Sequence, residues 1–456
     1  MIPRIAVVGH PNKGKSSVVA TLTENERVAI APLPGTTQHA EHFTLEIDGR
    51  ALYELIDTPG FQRAGQMFAW LEAHATDATT RRQVIEQFLY EHQDDQRYVD
   101  EREILTPILD GAGILYVVNG SKPWGPEYEI EMEILRWTGQ PRMALINMIG
   151  EGDYREPWRQ GLGQYFSLVR EFNPVQADFD ARLALLRAFG EIEESWFPAM
   201  QSAQEAIAAE RERQSRRAAL AIAGLVQDAL NAHREVPLQE GEDPEPRKEK
   251  LTEQLLDDIR RLEQQARKSV QSIYHHNTLT FEEAEFALVN TDLFHEESWQ
   301  IFGLSRTQLL ATGAASGAVA GAGLDLIVGG TSLMGGTLVG GALGSVAAWW
   351  GGEHIAKVKV LGSPLGGNVL SVGPVQSLNF PWVLLGRACL HHALVSERNH
   401  AVRTALVARA DDGDAAIDVA SLPTKNRLAL DMAFANIRKG KSVSITELTA
   451  AIHSLL

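Results

Sequence analysis

Eight residues near the start of the chain have the types and spacing of a phosphate-binding loop. The run Gly9-His-Pro-Asn-Lys-Gly-Lys-Ser16 fits G-x-x-x-x-G-K-S, with an apolar run before it and a helix-like run after it. Gly9 and Gly14 allow the backbone to turn its N–H groups toward phosphate oxygens. Lys15 would reach the β- and γ-phosphates, and Ser16 would offer its hydroxyl to Mg²⁺. The pattern therefore predicts a strand, a loop and a helix that bind a nucleoside triphosphate.

Two tetrapeptides farther along supply the groups that would complete this site. In Pro34-Gly-Thr-Thr37, the last threonine can give Mg²⁺ a second protein oxygen and sense the γ-phosphate. In Asp57-Thr-Pro-Gly60, the aspartate ends an apolar strand and can hold Mg²⁺ through water, while Gly60 can offer its N–H to the γ-phosphate. We predict Mg²⁺ ligation by Ser16, Thr37 and Asp57, and catalytic roles for Lys15, Thr37 and Gly60.

These three segments, in this order, resemble those of the Era and TrmE branch of small bacterial GTPases. The resemblance covers about the first 175 residues and implies GTP as ligand, Mg²⁺ as cofactor and GTP hydrolysis as activity. The remainder of the chain is similar to the uncharacterised C-terminal part of a bacterial group of such GTPases. In this branch a hydrophobic residue replaces the catalytic Gln that other GTPases place after the D-x-x-G glycine, and Phe61 fits. Phe61 cannot orient a water molecule, so another group must assist hydrolysis.

The same resemblance implies that K⁺ gives this assistance. In the Era and TrmE branch, an Asn at the position of Asn12 helps to hold K⁺ against the phosphates, and the switch I backbone, here residues 31–36, completes the cation site. A monovalent cation there would supply the charge that an arginine finger supplies in other GTPases. The alternative is that Asn12 only braces the loop by hydrogen bonding.

The base-binding motif departs from the family pattern. Asn147-Met-Ile-Gly150 occupies the place of N-K-x-D, so Met148 replaces the Lys and Gly150 replaces the Asp that accepts hydrogen bonds from guanine. We therefore expect GTP to be preferred over ATP by less than in relatives with the complete motif. Glu151 or Asp153 could substitute from the next turn. The predicted nucleotide-binding residues are Gly9, Asn12, Lys13, Gly14, Lys15, Ser16, Ser17 and Asn147.

Composition sets limits on the partners of the chain. A net charge of −17 over 456 residues disfavours broad binding to nucleic acid, and we expect no specific DNA binding. The single cysteine, Cys389, fits a reducing cytoplasm, and no N-terminal signal peptide is visible. We therefore predict a cytoplasmic protein.

The pattern of apolar residues predicts an α/β P-loop NTPase domain over residues 1–178, followed by a mainly α region. More than 50 residues separate Gly60 from the next clear strand, and two charged helical segments lie between them. We predict a helical insertion at about 61–110, either a partner surface or an ordinary solvated helix pair. Beyond the GTPase domain, we predict a helical domain at 179–302, with an acidic linker at 236–246, and a C-terminal α+β segment at 353–456.

Residues 303–352 are rich in glycine and nearly free of charge. Between Arg306 and Glu353 the only charged residue is Asp325, and glycines recur every four residues in both halves. Small residues at this spacing are typical of closely packed membrane helices, and each arm has roughly the 20 residues that span hydrocarbon. We predict a Gly-rich helical hairpin and leave two interpretations open. Residues 307–352 contact inner-membrane lipid, or the hairpin packs within the helical domain.

The leading hypothesis is an Mg²⁺-dependent, K⁺-stimulated GTPase whose nucleotide state controls a helical effector region and an unknown protein partner, in the cytoplasm or at the inner membrane. The alternative is a membrane-associated scaffold protein with a structural nucleotide site and little turnover. The Gly150 departure slightly favours this alternative.

Overall fold

The computed structural model describes residues 2–24, 37, 39–239, 242–276, 293–294, 358–362, 368–398 and 422–456. The chain divides into two units, one comprising residues 1–211 and 397–404 and the other residues 212–396 and 405–456. The boundary falls inside one long helix, Phe197–Asn231. The predicted hairpin at 303–352 and most of switch I lie outside the described residues, and the domain limits expected at 178, 302 and 352 stay predictions.

The first unit is built on a six-stranded sheet in the order β2-β3-β1-β4-β5-β6. All neighbours are parallel except β2 and β3, which form an antiparallel hairpin with Asp48 and Gly49 at positive φ in its turn. The α/β fold expected for this part of the chain is therefore confirmed. The strands are β1 (Arg4–Val8), β2 (Glu41–Ile47), β3 (Arg50–Asp57), β4 (Gly113–Asn119), β5 (Arg142–Asn147) and β6 (Leu168–Glu171).

Helices cover both faces of this sheet, which explains why its central strands are continuous apolar runs. In β4, Ile114, Tyr116 and Val118 pack into one core, while Leu115 and Val117 pack into the core on the other face. The helices of the second core are α1 (Lys15–Thr23) and α7 (Phe179–Ile192), together with the first part of α8 (Phe197–Asn231). The helices of the first core are α2 (Ala64–His74), α3 (Arg81–Glu91), α4 (Val99–Leu109), α5 (Pro126–Trp137) and α6 (Arg155–Leu162).

The insertion between β3 and β4 contains three helices, α2 to α4. Sequence analysis predicted the first two and missed α4. Pro107 lies inside α4, and a proline in a helical pattern normally ends the helix. The helix nevertheless forms, because Ile104, Leu105 and Ile108 pack into the core of the sheet.

The second unit is largely helical, as predicted, and contains a small antiparallel sheet in the order β7-β9-β8. The linker predicted at 236–246 is wrong in its first part, because β7 pairs with β9 more than 120 residues later in the sequence. Such a long-range pairing leaves no local signal. Within the described residues, the elements after α8 are β7 (Arg234–Leu238), α9 (Glu245–Ile273), β8 (Val358–Gly362), β9 (Asn368–Val372), α10 (Phe380–Ser396), α11 (Thr424–Arg438) and α12 (Ile445–His453).

Among the described elements of the second unit, helix α10 is the most deeply buried. Its Arg387 is 2% exposed and donates to Glu263 of α9 at 2.8 Å, so an ion pair joins two helices inside the apolar core. Among the residues that the structure describes, none of the helices combines the length and the apolar character that crossing a bilayer requires.

Candidate functional site: a phosphate-binding loop at the sheet edge

The predicted site residues meet at the edge of the sheet where the parallel strands end. Strand β1 pairs with β3 on one side and with β4 on the other, which opens a crevice at its carboxyl end. Val7 lies opposite Asp57, and Asn119 lies opposite Asn147. The topology thus brings the loop after β1, the end of β3 and the end of β5 to one place.

The loop after β1 needs glycine at two positions. Gly9 has φ 138°, and a Cβ atom on it would lie 2.5 Å from the Val117 carbonyl oxygen. Gly14 has φ 85°, and a Cβ atom there would lie 2.3 Å from the Asn147 side-chain nitrogen. Helix α1 begins at Lys15, directly after this turn, so its free N–H groups and positive dipole end adjoin the loop. This arrangement is typical of a phosphate-binding loop.

Lys15 lies inside the loop and is only 7% exposed. Its Nζ donates to the carbonyl oxygens of Gly9 at 3.2 Å and of His10 at 3.3 Å. Burial lowers the pKa of Lys15, although the nearby Asp57 carboxylate opposes this shift. The ammonium group is therefore positioned by weak carbonyl contacts that a phosphate could replace with a stronger, charge-assisted bond.

The three predicted Mg²⁺ ligands form a cluster of oxygen atoms. Ser16 Oγ donates to Asp57 Oδ2 at 2.6 Å, and Thr37 Oγ1 donates to the same oxygen at 3.1 Å. The two hydroxyl oxygens lie 3.4 Å apart. Asp57 Oδ1 is buried and has no hydrogen-bond partner among the described residues, and burial raises the pKa of Asp57. Hard oxygen donors with one unsatisfied carboxylate oxygen are what Mg²⁺ binds, so these residues fit the ion.

Gly60 lies against the phosphate-binding loop. A Cβ atom on Gly60 would lie 2.5 Å from Pro11 N and Cδ, so only glycine permits this contact. The next residue, Phe61, is 2% exposed and packs into the core beneath α2. Gly60 is therefore fixed between Pro11 and a buried phenylalanine.

Asn147 contacts the loop from the base-binding side. Its Nδ2 donates to the Lys13 carbonyl oxygen at 3.1 Å, and the residue is 2% exposed. The Lys13 side chain is also buried, with Nζ 5.3 Å from the centre of the Tyr128 ring, and burial lowers the pKa of Lys13. In this structure both residues shape the loop.

The altered base motif is tied to the neighbouring loop. Gly150 N–H donates to Ser121 Oγ at 3.0 Å, and Ser121 Oγ donates to the Gly150 carbonyl at 2.8 Å. The Asp153 carboxylate accepts hydrogen bonds from the Arg155 guanidinium at 2.7 and 2.9 Å. Asp153, one of the two acids predicted to replace the missing Asp, is therefore already paired with an arginine. The other, Glu151, is exposed.

One buried carboxylate beside the loop was not predicted. Glu131 of α5 is 2% exposed, and its two oxygens contact His10 Nδ1 at 2.9 Å and the Tyr116 hydroxyl at 2.8 Å. The available signal is a charged residue on the otherwise apolar face of a helix. It identifies a buried acid but not its partner, because His10 lies 121 residues away in sequence.

Two protein-family models match the chain. The model described as "50S ribosome-binding GTPase" matches residues 4–148. The model described as "Domain of unknown function (DUF3482)" matches residues 159–451, which is well over half of the chain. The chain belongs to the DUF3482 family. The predicted combination of a bacterial GTPase domain and an uncharacterised C-terminal region is therefore confirmed, and GTPase is the enzyme class of the matching N-terminal family.

Individual relatives are similar to part of the chain. The chain is 47% identical over 85 residues to "GTPase Der" of Aromatoleum aromaticum (strain DSM 19018 / LMG 30748 / EbN1), a match that covers 19% of each protein. It is 29% identical over 171 residues to "GTPase Der" of Methylibium petroleiphilum (strain ATCC BAA-1232 / LMG 22953 / PM1), 37% of each protein. The chain thus covers less than two fifths of the length of these relatives.

Among solved structures, the chain is similar to NFeoB from S. thermophilus bound to GDP.AlF4- and K+. The sequence identity is 18%, the match covers 41% of this chain and 62% of that one, and the TM-score is 0.27.

Proposed function

We propose that this protein is an Mg²⁺-dependent GTPase that works as a nucleotide-controlled switch. The observation that carries the proposal is the convergence of Ser16, Thr37 and Asp57 beside the buried Lys15. Three chain segments contribute to this cluster, and Thr37 lies in the segment that changes with nucleotide state in switch GTPases. The two hydroxyls and the carboxylate match the groups that P-loop NTPases use around Mg²⁺.

The reaction is the in-line attack of water on the γ-phosphate, with catalysis by positioning and by charge stabilisation. Lys15 and the N–H groups at the start of α1 bind the β- and γ-phosphates. The Gly60 N–H, positioned by the contact with Pro11, donates to the γ-phosphate. Ser16, Thr37 and Asp57 would hold Mg²⁺, which would neutralise negative charge on the phosphate oxygens.

We also propose that K⁺ stimulates hydrolysis through Asn12. Phe61 is buried in the core, so it neither orients water nor supplies charge. Asn12 has φ 59° and is exposed at the loop surface, and its side-chain amide makes no hydrogen bond within the described part of the chain. This favours a cation ligand over a brace. Residues 31–36, the expected backbone ligands, lie outside the described residues.

The proposed effector functions rest on the sequence pattern. The helical insertion follows Gly60 directly and is a candidate surface for an unknown protein partner, while residues 307–352 are the candidate lipid contact. A second candidate function is a scaffold with a structural nucleotide site. The loss of the guanine-reading Asp at Gly150 favours it, because weak base selection suits a site that does not act as a GTP-specific switch.

A single-turnover assay of phosphate release from GTP and from ATP separates the two functions. The full chain is compared with Ser16→Ala, and Ser195→Ala, an exposed serine outside the site, serves as the control. We expect release from GTP that requires Mg²⁺, is lost in Ser16→Ala and persists in Ser195→Ala. Binding of GTP without release would support the scaffold.

A further inference from the structure

Glu101, in the first turn of α4, is a fully buried carboxylate that contacts the segment directly after Gly60. It is 0% exposed, which is rare for glutamate. Its Oε1 accepts the backbone N–H groups of Gln62 at 2.9 Å and of Arg63 at 2.5 Å. Its Oε2 is buried and has no hydrogen-bond partner in the described part of the chain. Burial of a carboxylate is unfavourable without hydrogen bonds, so the two backbone N–H groups are what stabilise Glu101 here.

The segment that Glu101 contacts begins at the γ-phosphate sensor. Gly60 lies against Pro11, Phe61 is buried, and the two N–H groups bound by Glu101 belong to the next two residues. The segment is therefore fixed at both ends, by the phosphate-binding loop on one side and by Glu101 on the other. Movement of residues 62–63 would move the Gly60 N–H, because only one residue lies between them.

The residues beside Glu101 contact two other segments. Glu103 Oε2 accepts the N–H of Ala40 at 2.7 Å, three residues after Thr37. Arg102 donates to the carbonyl oxygens of His92 at 2.9 Å and of Asp95 at 2.6 Å, at the end of α3. The start of α4 thus contacts the chain next to the two predicted γ-phosphate sensors, Thr37 and Gly60. It also contacts the end of α3.

We propose that Glu101 is a positioning residue for GTP hydrolysis, an inference that rests on the proposed function. It fixes the backbone of residues 62–63 so that the Gly60 N–H points at the γ-phosphate. The phosphate-binding loop, Lys15 and Asn147 make no hydrogen bond to Glu101. Loss of Glu101 therefore slows hydrolysis and leaves nucleotide affinity nearly unchanged.

The test compares Glu101→Ala, Glu101→Gln and the control Glu91→Ala in the full chain. Glu91 is an exposed acid of α3 whose side chain contacts Gln87. We expect Glu101→Ala to lower the single-turnover rate on the order of 10- to 100-fold, as for other misplaced catalytic groups. Its affinity for a fluorescent GTP analogue stays within about threefold of wild type. This change is far smaller than the one that the loss of a direct phosphate contact would cause. Glu101→Gln retains most of the rate, because its amide oxygen still accepts both N–H groups.

Hydrogen exchange gives a readout that does not depend on activity. The amides of Gln62 and Arg63 should exchange faster in Glu101→Ala than in wild type, and at the wild-type rate in Glu91→Ala. If Glu101→Ala does not fold, Glu101→Asp is used in its place. Its side chain is shorter by one methylene group, so the carboxylate keeps its charge but no longer reaches the N–H groups of residues 62 and 63. If Glu101→Ala, or the Glu101→Asp variant used in its place, hydrolyses GTP at the wild-type rate, the inference is overturned. Unchanged amide exchange at residues 62 and 63 in that variant overturns it as well. An equal loss of affinity and rate also overturns it, and a wild-type protein without GTP hydrolysis overturns both the inference and the proposed function.

Discussion

Ser16 Oγ donates a hydrogen bond to Asp57 Oδ2 at 2.6 Å, although the two residues are 41 positions apart in sequence. The same carboxylate oxygen accepts the Thr37 hydroxyl, and burial raises the pKa of Asp57. The proposed Mg²⁺ ligands therefore lie together in this structure, around a carboxylate whose charged form is disfavoured by its surroundings. Mg²⁺ binding and protonation should compete at this residue.

Asp57→Asn should remove Mg²⁺-dependent hydrolysis and raise the thermal stability of the nucleotide-free protein. The raised pKa means that the folded state binds the proton more tightly than the unfolded state. The stability contribution of Asp57 is therefore lost as pH rises from the ordinary carboxyl range through the raised pKa. Asparagine removes this loss and keeps an oxygen for Ser16. Thermal unfolding across a pH series measures the effect.

The matched control is Asp153→Asn. Arg155 lowers the pKa of the exposed Asp153 to about 2, so its pH dependence has the opposite sign. Asp153 contributes stability above the ordinary carboxyl range, and this contribution is lost as pH falls toward 2. An Asp57→Asn variant that keeps full Mg²⁺ stimulation would contradict the assigned ligand set.

The phosphate side of the site could be predicted from sequence because its signals are local. The residue types that bind phosphate and Mg²⁺ lie within three short motifs. For the base-binding side, the sequence showed only that the chain departs from the N-K-x-D motif at Gly150. It did not show that the Ser121 side chain binds the Gly150 backbone.

Glu101 and Glu131 could not be assigned from sequence. Each acts through the packing of a helix against a segment far away in the chain, and such packing has no motif. Helix α4 was not predicted, and Pro107 inside it is unfavourable for a helix. The strand pairing of β7 with β9 was missed for the same reason as the two acids, since its partner is distant in sequence.

We expect GTP to be preferred over ATP, but weakly, and Gly150→Asp should strengthen the preference. A Cβ atom on Gly150 would lie 3.5 Å from Ser121 Cβ, an ordinary contact, so the new side chain can be accommodated. A restored charged acceptor should raise the GTP-to-ATP affinity ratio about tenfold or more. Competition binding with GTP, ATP and xanthosine triphosphate measures the ratio.

Glu151→Ala is the companion variant in this experiment. It should leave the GTP-to-ATP ratio unchanged if no neighbouring acid replaces the missing Asp. Loss of the preference in Glu151→Ala would show that Glu151 recognises the base, and a strong preference of the wild type for ATP would contradict the assignment of this loop.

K⁺ should stimulate phosphate release, and Na⁺ should not. A cation bound by Asn12 supplies the charge that an arginine finger supplies in other GTPases, where the finger contributes about 10³–10⁵ in rate. The assay compares KCl with NaCl at equal ionic strength, for wild type and for Asn12→Ala. Equal rates in the two salts, or a K⁺ effect that survives in Asn12→Ala, would count against this role.

Residues 307–352 should contact lipid. Their arms contain Asp325 as the single charged residue and have the length and glycine spacing of closely packed membrane helices. Flotation with liposomes compares the full chain with a variant that lacks these residues. We expect the full chain to float and the shortened chain to stay at the bottom of the gradient. If neither floats, the segment packs within the protein.

The most direct test of the GTPase assignment is steady-state phosphate release from GTP by the full chain, with Mg²⁺ and K⁺, for wild type and for Lys15→Ala. Lys15 is the buried lysine predicted to contact the β- and γ-phosphates, so its removal should abolish nucleotide binding as well as turnover. We predict release by the wild type, and neither release nor binding of a fluorescent GTP analogue by a folded Lys15→Ala variant. Unchanged binding and release in that variant, or no release by the wild type, would contradict the assignment of this protein as a GTPase.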